Sequence, residues 1–317
     1  MKIVGIYNLL FCLLVICSCS DKKNTENYKK NELNFSEVDT VIVHKTDSCV
    51  FAENWMLLDG EIICKTSSAS GLYTVIDNKT LGKKYVFGVK GHGRNEWIAP
   101  HIIANKLHEL FVYDNGDKKL YSVKENNINY VKNYNIKDAI NDAKAIEYPI
   151  IGFVSMTPRV QSLRLMNIEN ENFVDSISFI DPTNNGNSSL YDFVWSSHDD
   201  KIVIAHQHSD RYIVCKTNSK HKIVETTIFD TDGKFSAESF TYSGVACGRY
   251  IYLLSQKKVN PETVEGFSEV EIYDYDGTCV KKLVMNIIAD KMLLDEKNNR
   301  MLFTSVEDGS INIVNLR

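Results

Sequence analysis

The chain has 317 residues, 44% of them hydrophobic and 24% charged, with a formal net charge of −5. That mild acidity gives no support for nucleic-acid binding, which shows itself as a basic face. With only 16 glycines and 5 prolines the composition is globular rather than collagenous or disordered, and all-β folds often use this length as one domain.

Lys2 is followed by residues 9–17, LLFCLLVIC, a run without a polar side chain. It is shorter than the roughly 20 residues that span a bilayer and suits the apolar centre of a secretory signal. The end of the run, Ile16-Cys17-Ser18-Cys19, resembles a bacterial lipobox. Ser18 offers the small side chain a signal peptidase needs beside the cut, whereas a cut at Cys17 would follow Ile16. The resemblance implies that residues 1–18 are a lipoprotein signal peptide and that Cys19 becomes the first mature residue. It would carry several fatty-acyl chains of the palmitate kind, because one chain anchors only marginally. Ser20 rather than Asp follows the cysteine, which by the enterobacterial sorting rule favours the outer membrane over the inner. A cut beyond Cys19, leaving a soluble secreted protein, is the alternative. Removing residues 1–18 takes away one Lys and moves the formal charge from −5 to −6.

Residues 20–35, SDKKNTENYKKNELNF, hold almost no aliphatic side chains and cannot bury enough apolar surface to offset ordering entropy. Residues 19–35 are therefore expected to be a lipidated cysteine and flexible tether, with the fold occupying 36–317. Five cysteines lie within that fold: Cys49, Cys64, Cys215, Cys247 and Cys279. An odd number cannot all pair within one chain, and most sit in apolar runs where a free cysteine acts as a small hydrophobe. A Cys49–Cys64 disulfide is the one candidate, flanking an expected hairpin.

From residue 38 the chain alternates short β-type runs with turn residues. WMLL-DG-EIIC is the clearest hairpin, because Asp59-Gly60 suits the primed turns that match strand twist. Other turn signals are Asn115-Gly116, Asn185-Gly186, Asp232-Gly233, Asp276-Gly277 and Asp308-Gly309. One helical candidate interrupts them, residues 135–148, with Ile136, Ala139, Ile140 and Ala143 at helical spacing.

Five segments share one shape, a strand, an acidic or Asn-containing turn and a second strand: LYTVIDNKTLGKKYVFG, LFVYDNGDKKLYSVK, LRLMNIENENFVDSISF, YIVCKTNSKHKIVETTIF and VEIYDYDGTCVKKLVM. Their turns centre near Asn78, Asn115, Asn170, Asn218 and Asp276, at spacings of 37, 55, 48 and 58 residues. These bracket the length of a propeller blade, about 40–50 residues, and each segment is expected to be the last two strands of a blade. After the fifth unit KMLLD, RMLFTSV and INIVNL make three strands. The missing fourth is expected from residues 39–45, DTVIVHK, which would complete the last blade and close the ring. The expectation is an all-β, six-bladed β-propeller of four-stranded antiparallel blades.

Between the first two units lies GHGRNEW, residues 91–97. With the lipobox and the repeats, it resembles the TolB-like six-bladed β-propeller lipoproteins of Bacteroides and related bacteria. These often carry a Gly-x-Gly-Pro-x-Glu-Phe-like stretch at such a junction. Gly91, Gly93 and Glu96 match it, Trp97 replaces one aromatic by another, and Arg94 departs from Pro. The resemblance implies a fold and a location, and a structural part for these five residues, but no settled activity.

No catalytic signature survives inspection. His108-Glu109 begins HExxH, but Val112 closes it and the segment reads as a strand. Asp274-Tyr275-Asp276-Gly277 lacks the spacing of a calcium loop and reads as a hairpin turn. The best cluster is His206, His208 and Asp210, with Asp199 and Asp200 expected across a hairpin; two His and a carboxylate can hold a divalent metal, although a polar hairpin end is the simpler account. Residues 187–192 could face a channel mouth. Asp39-Thr40-Val41 and Asp175-Ser176-Ile177 resemble the O-glycosylation motif of Bacteroides, pointing to Thr40 and Ser176.

These features favour a cell-envelope lipoprotein held at the membrane by its lipid. Its propeller would bind or scaffold a protein, peptide or glycan, with no cofactor and no nucleic-acid partner. The alternatives are an envelope hydrolase or glycan lyase with a channel-mouth active site, and a structural envelope protein without a small ligand.

Overall fold

Short turns made by Asp and Asn divide the chain into hairpins. Asp59 and Gly60 both take positive φ, 50° and 77°, the primed geometry that keeps paired strands twisting together. Elsewhere a side chain imitates the turn. Asp77 Oδ1 accepts from the backbone N–H of Lys79 and Thr80 at 3.0 and 2.8 Å. Asn167 does the same for Glu169 and Asn170, Asn218 for Lys220 and Lys222, and Asp274 for Asp276 and Thr278. The recurring acidic or Asn turns of the sequence are thus one repeated chemical device.

The computed structural model describes residues 25–30, 35–68, 71–93, 96–104, 109–124, 127–134, 141–156, 160–180, 192–230, 242–258 and 266–316. Three strands come before the blades: β1 (Thr25–Lys30), β2 (Val38–Thr40) and β3 (His44–Cys49). Blade one is β4 (Ala52–Leu58), β5 (Glu61–Ser68), β6 (Gly71–Asp77) and β7 (Lys83–Phe87). A parallel pair, β8 (Val89–Lys90) and β9 (Glu96–Trp97), marks the crossing to blade two. That blade is β10 (Pro100–Ala104), β11 (Leu110–Asp114), β12 (Lys119–Lys124) and β13 (Asn127–Asn133). Blade three is β14 (Asn141–Glu147), β15 (Ile150–Met156), β16 (Val160–Asn167) and β17 (Asn172–Ile180). Blade four is β18 (Phe193–His198), β19 (Lys201–His206), β20 (Tyr212–Thr217) and β21 (Ile223–Asp230). Blade five is β22 (Gly244–Cys247), β23 (Ile251–Lys258), β24 (Gly266–Tyr273) and β25 (Cys279–Met285). Blade six is β26 (Ala289–Asp295), β27 (Arg300–Ser305) and β28 (Ser310–Asn315), completed by β3 pairing antiparallel to β28. The molecule is a six-bladed β-propeller of antiparallel four-stranded blades.

The core is six layers, one at each junction between blades. Alternate residues of a strand face opposite neighbours, so Ile62 and Cys64 pack toward blade six while Ile63 packs toward blade two. In blade four, Ile202 and Ile204 face blade three, and Val203 and Ala205 face blade five. Strands buried on both faces carry continuous apolar runs, which is why EIIC, KIVIA and YIVC do not alternate with polar residues.

Several expectations are corrected in detail. Residues 141–147 are strand β14, the innermost of blade three, and not helix; Ala143 points into the junction with blade two. The rest of that candidate, 135–140, lies outside the described residues. Four of the five repeated segments are the last two strands of a blade, but LFVYDNGDKKLYSVK is the central pair β11–β12 of blade two. The true last turn of blade two falls between Lys124 and Asn127, which evens out the first two spacings. Ring closure uses His44–Cys49 rather than residues 39–45, because Val38–Thr40 is already paired, in parallel, with β25 of blade five. Part of the expected tether is also structured: β1 pairs in parallel with β21 of blade four. Strands β1, β2 and β3 therefore strap blades four, five and six in turn. Cys64 is free and buried at the junction with blade six, while Cys49 belongs to the outer strand of that blade. The two do not flank one hairpin. The turn signals at Asn185-Gly186 and Asp232-Gly233 lie outside the described residues.

Candidate functional site

The first strands of neighbouring blades lie side by side around the axis, in the pairs β10–β14, β14–β18, β18–β22, β22–β26 and β26–β4. Because they run in parallel, the first and third turns of every blade emerge on one face, called here the turn face. The second turns and the crossings between blades emerge on the other, the loop face. Five of the six inner strands wall a channel cavity of about 480 Å3. Asn54, Lys144, Ser196, Ser243 and Lys291 bring polar groups to it, and Trp55 and Trp195 also line it, with their rings packed into the adjoining blade junctions.

Lys144 is held in place. Its Nζ donates to the Trp195 carbonyl at 2.6 Å, lies 3.1 Å from Asp142 and sits 5.0 Å from the centre of the Trp195 ring. Trp195 Nε1 donates to the Asp142 carbonyl at 3.2 Å, so that indole is satisfied. Trp55 is different. It is 7% exposed, and its Nε1 has no hydrogen-bond partner. A buried donor left unpaired costs about 1–3 kcal/mol; Trp97 Nε1, at the first blade crossing, is buried without a partner as well. Cys247 also lines the channel, but burial pushes its thiol up to about 12, which removes it as a nucleophile near neutral pH.

A larger groove, about 700 Å3, opens between blades five and six beneath residues 37–44. Its Lys281 is engaged by Glu37 at 3.1 Å and Asp39 at 2.6 Å, so this groove is partly filled by the strap. The channel is the stronger candidate because five blades converge on it, each with a polar side chain.

His206, His208 and Asp210 sit where blade four meets the loop face, and they do not converge. His206 ends β19 with 1% exposure, edge-on to Phe179 at 5.0 Å between ring centres. His208 is buried, whereas Asp210 is exposed. Asp199 and Asp200 are in the turn at the opposite end of β19. Burial, then the Arg211 guanidinium, lowers the His206 imidazole to about 3 against the opposing pull of Asp230. Arg211 is itself bound to Asp230, with Nε at 3.0 Å and Nη2 at 2.7 Å from Oδ2. Among the described residues no group of three His, Cys, Asp or Glu side chains could hold a metal ion. Of residues 187–192 only Asp192 is described. Its carbonyl accepts from Gln207 N–H at 2.8 Å and its carboxylate from the Gln161 amide.

The junction motif packs rather than reacts. Trp97 is fully buried among Tyr73, Phe87 and Tyr121, with ring centres 6.2, 6.2 and 5.7 Å away. Glu96 Oε2 accepts from Gly93 N–H at 2.8 Å. A Cβ on Gly91 would lie 2.0 Å from Glu96 Oε2, so the glycines leave room for that carboxylate. Arg94 lies outside the described residues, as do Cys19 and the signal. Thr40 is exposed on β2 and Ser176 half-buried on β17.

Sequence reasoning missed the channel residues. Asn54, Lys144, Ser196 and Lys291 each lie on a first strand, directly after a blade crossing, and no short motif joins them.

No protein-family model matches the chain, and no curated protein matches it. Solved structures do. A member of the DUF4221 family from Bacteroides vulgatus superposes with a TM-score of 0.56 at 8% identity, covering 91% of this chain and 99% of that one. A protein of Bacteroides fragilis described as exported gives 0.56 at 10% identity, covering 91% and 98%. The calcium-binding protein regucalcin from Agrobacterium tumefaciens gives 0.55 at 10% identity, covering 89% and 98%. What the chain shares with these proteins is the fold.

Proposed function

We propose that this protein is a cell-envelope binding module, anchored through a lipidated Cys19, whose central channel takes a peptide or glycan of the envelope. The observation that carries the reading is the Trp55 indole N–H, buried beside the channel without a partner. An acceptor from a ligand would satisfy it. Polar groups converging on a mostly preformed cavity are the usual form of a small-molecule site. The Bacteroides fragilis neighbour described as exported is compatible with an envelope role. A hydrolase or lyase is the weaker reading, because the described residues bring together neither a metal-binding group nor a reactive thiol.

The binding test uses intrinsic fluorescence. The chain has 3 tryptophans, and two of them, Trp55 and Trp195, line the channel. A saturable change on titration with soluble muramyl peptides, which present both sugar and peptide, supports the reading if Trp55→Phe removes it. The anchor is tested by fatty-acid labelling of the protein and of Cys19→Ala, which should abolish both labelling and membrane fractionation.

A further inference from the structure

The strap fixes which part of the propeller can lie against a membrane. β1 begins at Thr25, opposite Glu225 near the start of β21. Only residues 20–24 lie between Cys19 and Thr25, six steps of chain, and an extended chain covers at most about 3.6 Å per step, or roughly 22 Å in all. The end of blade four that holds Thr25 therefore cannot stand farther than that from the lipidated residue.

That end is basic. The turn from β20 to β21 contains Lys220, His221 and Lys222, and both lysine side chains are exposed. Lys222 is three residues from Glu225, about 10 Å along the strand. Lys216, on β20, is exposed as well. Asn218 fixes the shape of the turn by accepting from Lys220 N–H at 2.9 Å and Lys222 N–H at 3.1 Å. The link from the anchor carries Lys22 and Lys23. The acidic groups nearest this turn are Asp175, whose Oδ2 accepts from Ile223 N–H at 2.9 Å, and Asp199 and Asp200 in the neighbouring turn, where Lys201 engages Asp200 at 2.9 Å. Glu225 accepts from the Asn27 amide at 3.2 Å.

We propose that the Lys220–Lys222 turn of blade four rests on the anionic headgroups of the membrane that holds the anchor, with Lys216 adding to the patch. The proposal rests on the lipid-anchor reading and adds an orientation to it. The rim of blade four on the turn face meets the bilayer, and the loop face is left open to envelope partners. Each lysine near an anionic surface strengthens binding about fivefold.

The test uses the full-length lipoprotein reconstituted in vesicles that contain an acceptor lipid. Fluorophores are placed on Ser219→Cys, in the turn, or on Glu307→Cys, on the loop face. Energy transfer should be high from position 219 and low from 307. It should rise at 219 when phosphatidylglycerol is mixed into phosphatidylcholine, and Lys220→Gln with Lys222→Gln should remove that rise. Equal or reversed transfer from the two positions overturns the orientation. High transfer at 219 that ignores lipid charge overturns headgroup recognition, because the tether alone would then set the distance. Failure of Cys19 to take up fatty acid is a separate result, seen before reconstitution, and it removes the anchor together with the proposal. Unchanged thermal melting of the lysine variants shows that they remain folded.

Discussion

Asn78 Nδ2 donates a 2.9 Å hydrogen bond to Asp295 Oδ2 across 217 positions of sequence. Asn78 lies in the last turn of blade one, and Asp295 ends the first strand of blade six, so the bond spans the seam where the ring closes. Arg300 completes the clamp, with Nε 3.0 Å from Asp295 Oδ2 and Nη2 2.9 Å from Asn78 Oδ1. Ser48 of the closing strand adds a hydroxyl bond to the Leu81 carbonyl of blade one.

Asp295→Asn is expected to cost about 3 kcal/mol in urea unfolding, because it strands a partly buried guanidinium. Asn78→Ala should cost about 2 kcal/mol, because its amide bonds to charged partners. Burial alone would raise the Asp295 carboxyl, but bonds from Asn298, Asn78 and Arg300 hold it below its usual range. Its contribution is thus present above the unfolded value of about 4 and is lost as pH falls further.

Gly88 is the position at the first blade crossing that no side chain can occupy. Its φ is +76°, and a Cβ there would lie 2.3 Å from Trp97 Cζ3. Gly88→Ala should destabilise by about 3 kcal/mol, from backbone strain together with overpacking. In a double-mutant cycle, Trp97→Phe should cost less in the Gly88→Ala background than in the wild type.

His206 gives stability a pH dependence of known sign. Its folded value, about 3, is below the unfolded value of about 6.5. The unfolded chain therefore binds the extra proton first, and stability falls by about 1 kcal/mol for each pH unit below 6.5. His206→Gln should flatten urea midpoints between roughly pH 6.5 and 4; an unchanged slope would assign the acid sensitivity to other groups.

Burial pushes the Cys64 and Cys215 thiols up to about 12. Both are expected to resist a thiol reagent in the native protein and to react only as it unfolds, measured by mass after quenching.

The propeller was legible because its turns repeat one chemistry. Asp77, Asn167, Asn218 and Asp274 occupy the same place in four blades. Blade two was misphased because Asp114 imitates that signal in a different turn. There its carboxylate accepts from Ile98, Ala99 and Gly116 N–H. The strand at 25–30 was hidden because it adds to an outer edge through backbone bonds, which need no apolar pattern. The helical expectation rested on Ile136, Ala139, Ile140 and Ala143, of which only Ala143 is described; on β14 it and Ala145 face blade two while Ile146 faces blade four. The channel was not legible at all. Its polar residues are spread over five first strands, so only the closed ring brings Asn54, Lys144 and Lys291 together.

On the proposed reading the channel binds an envelope ligand through the Trp55 indole N–H. Tryptophan fluorescence of the folded protein, titrated with soluble muramyl peptides, tests it most directly. A saturable change in the wild type that Trp55→Phe abolishes, with melting otherwise unchanged, is the predicted result. The same change persisting in Trp55→Phe, or no change in either protein, would contradict it.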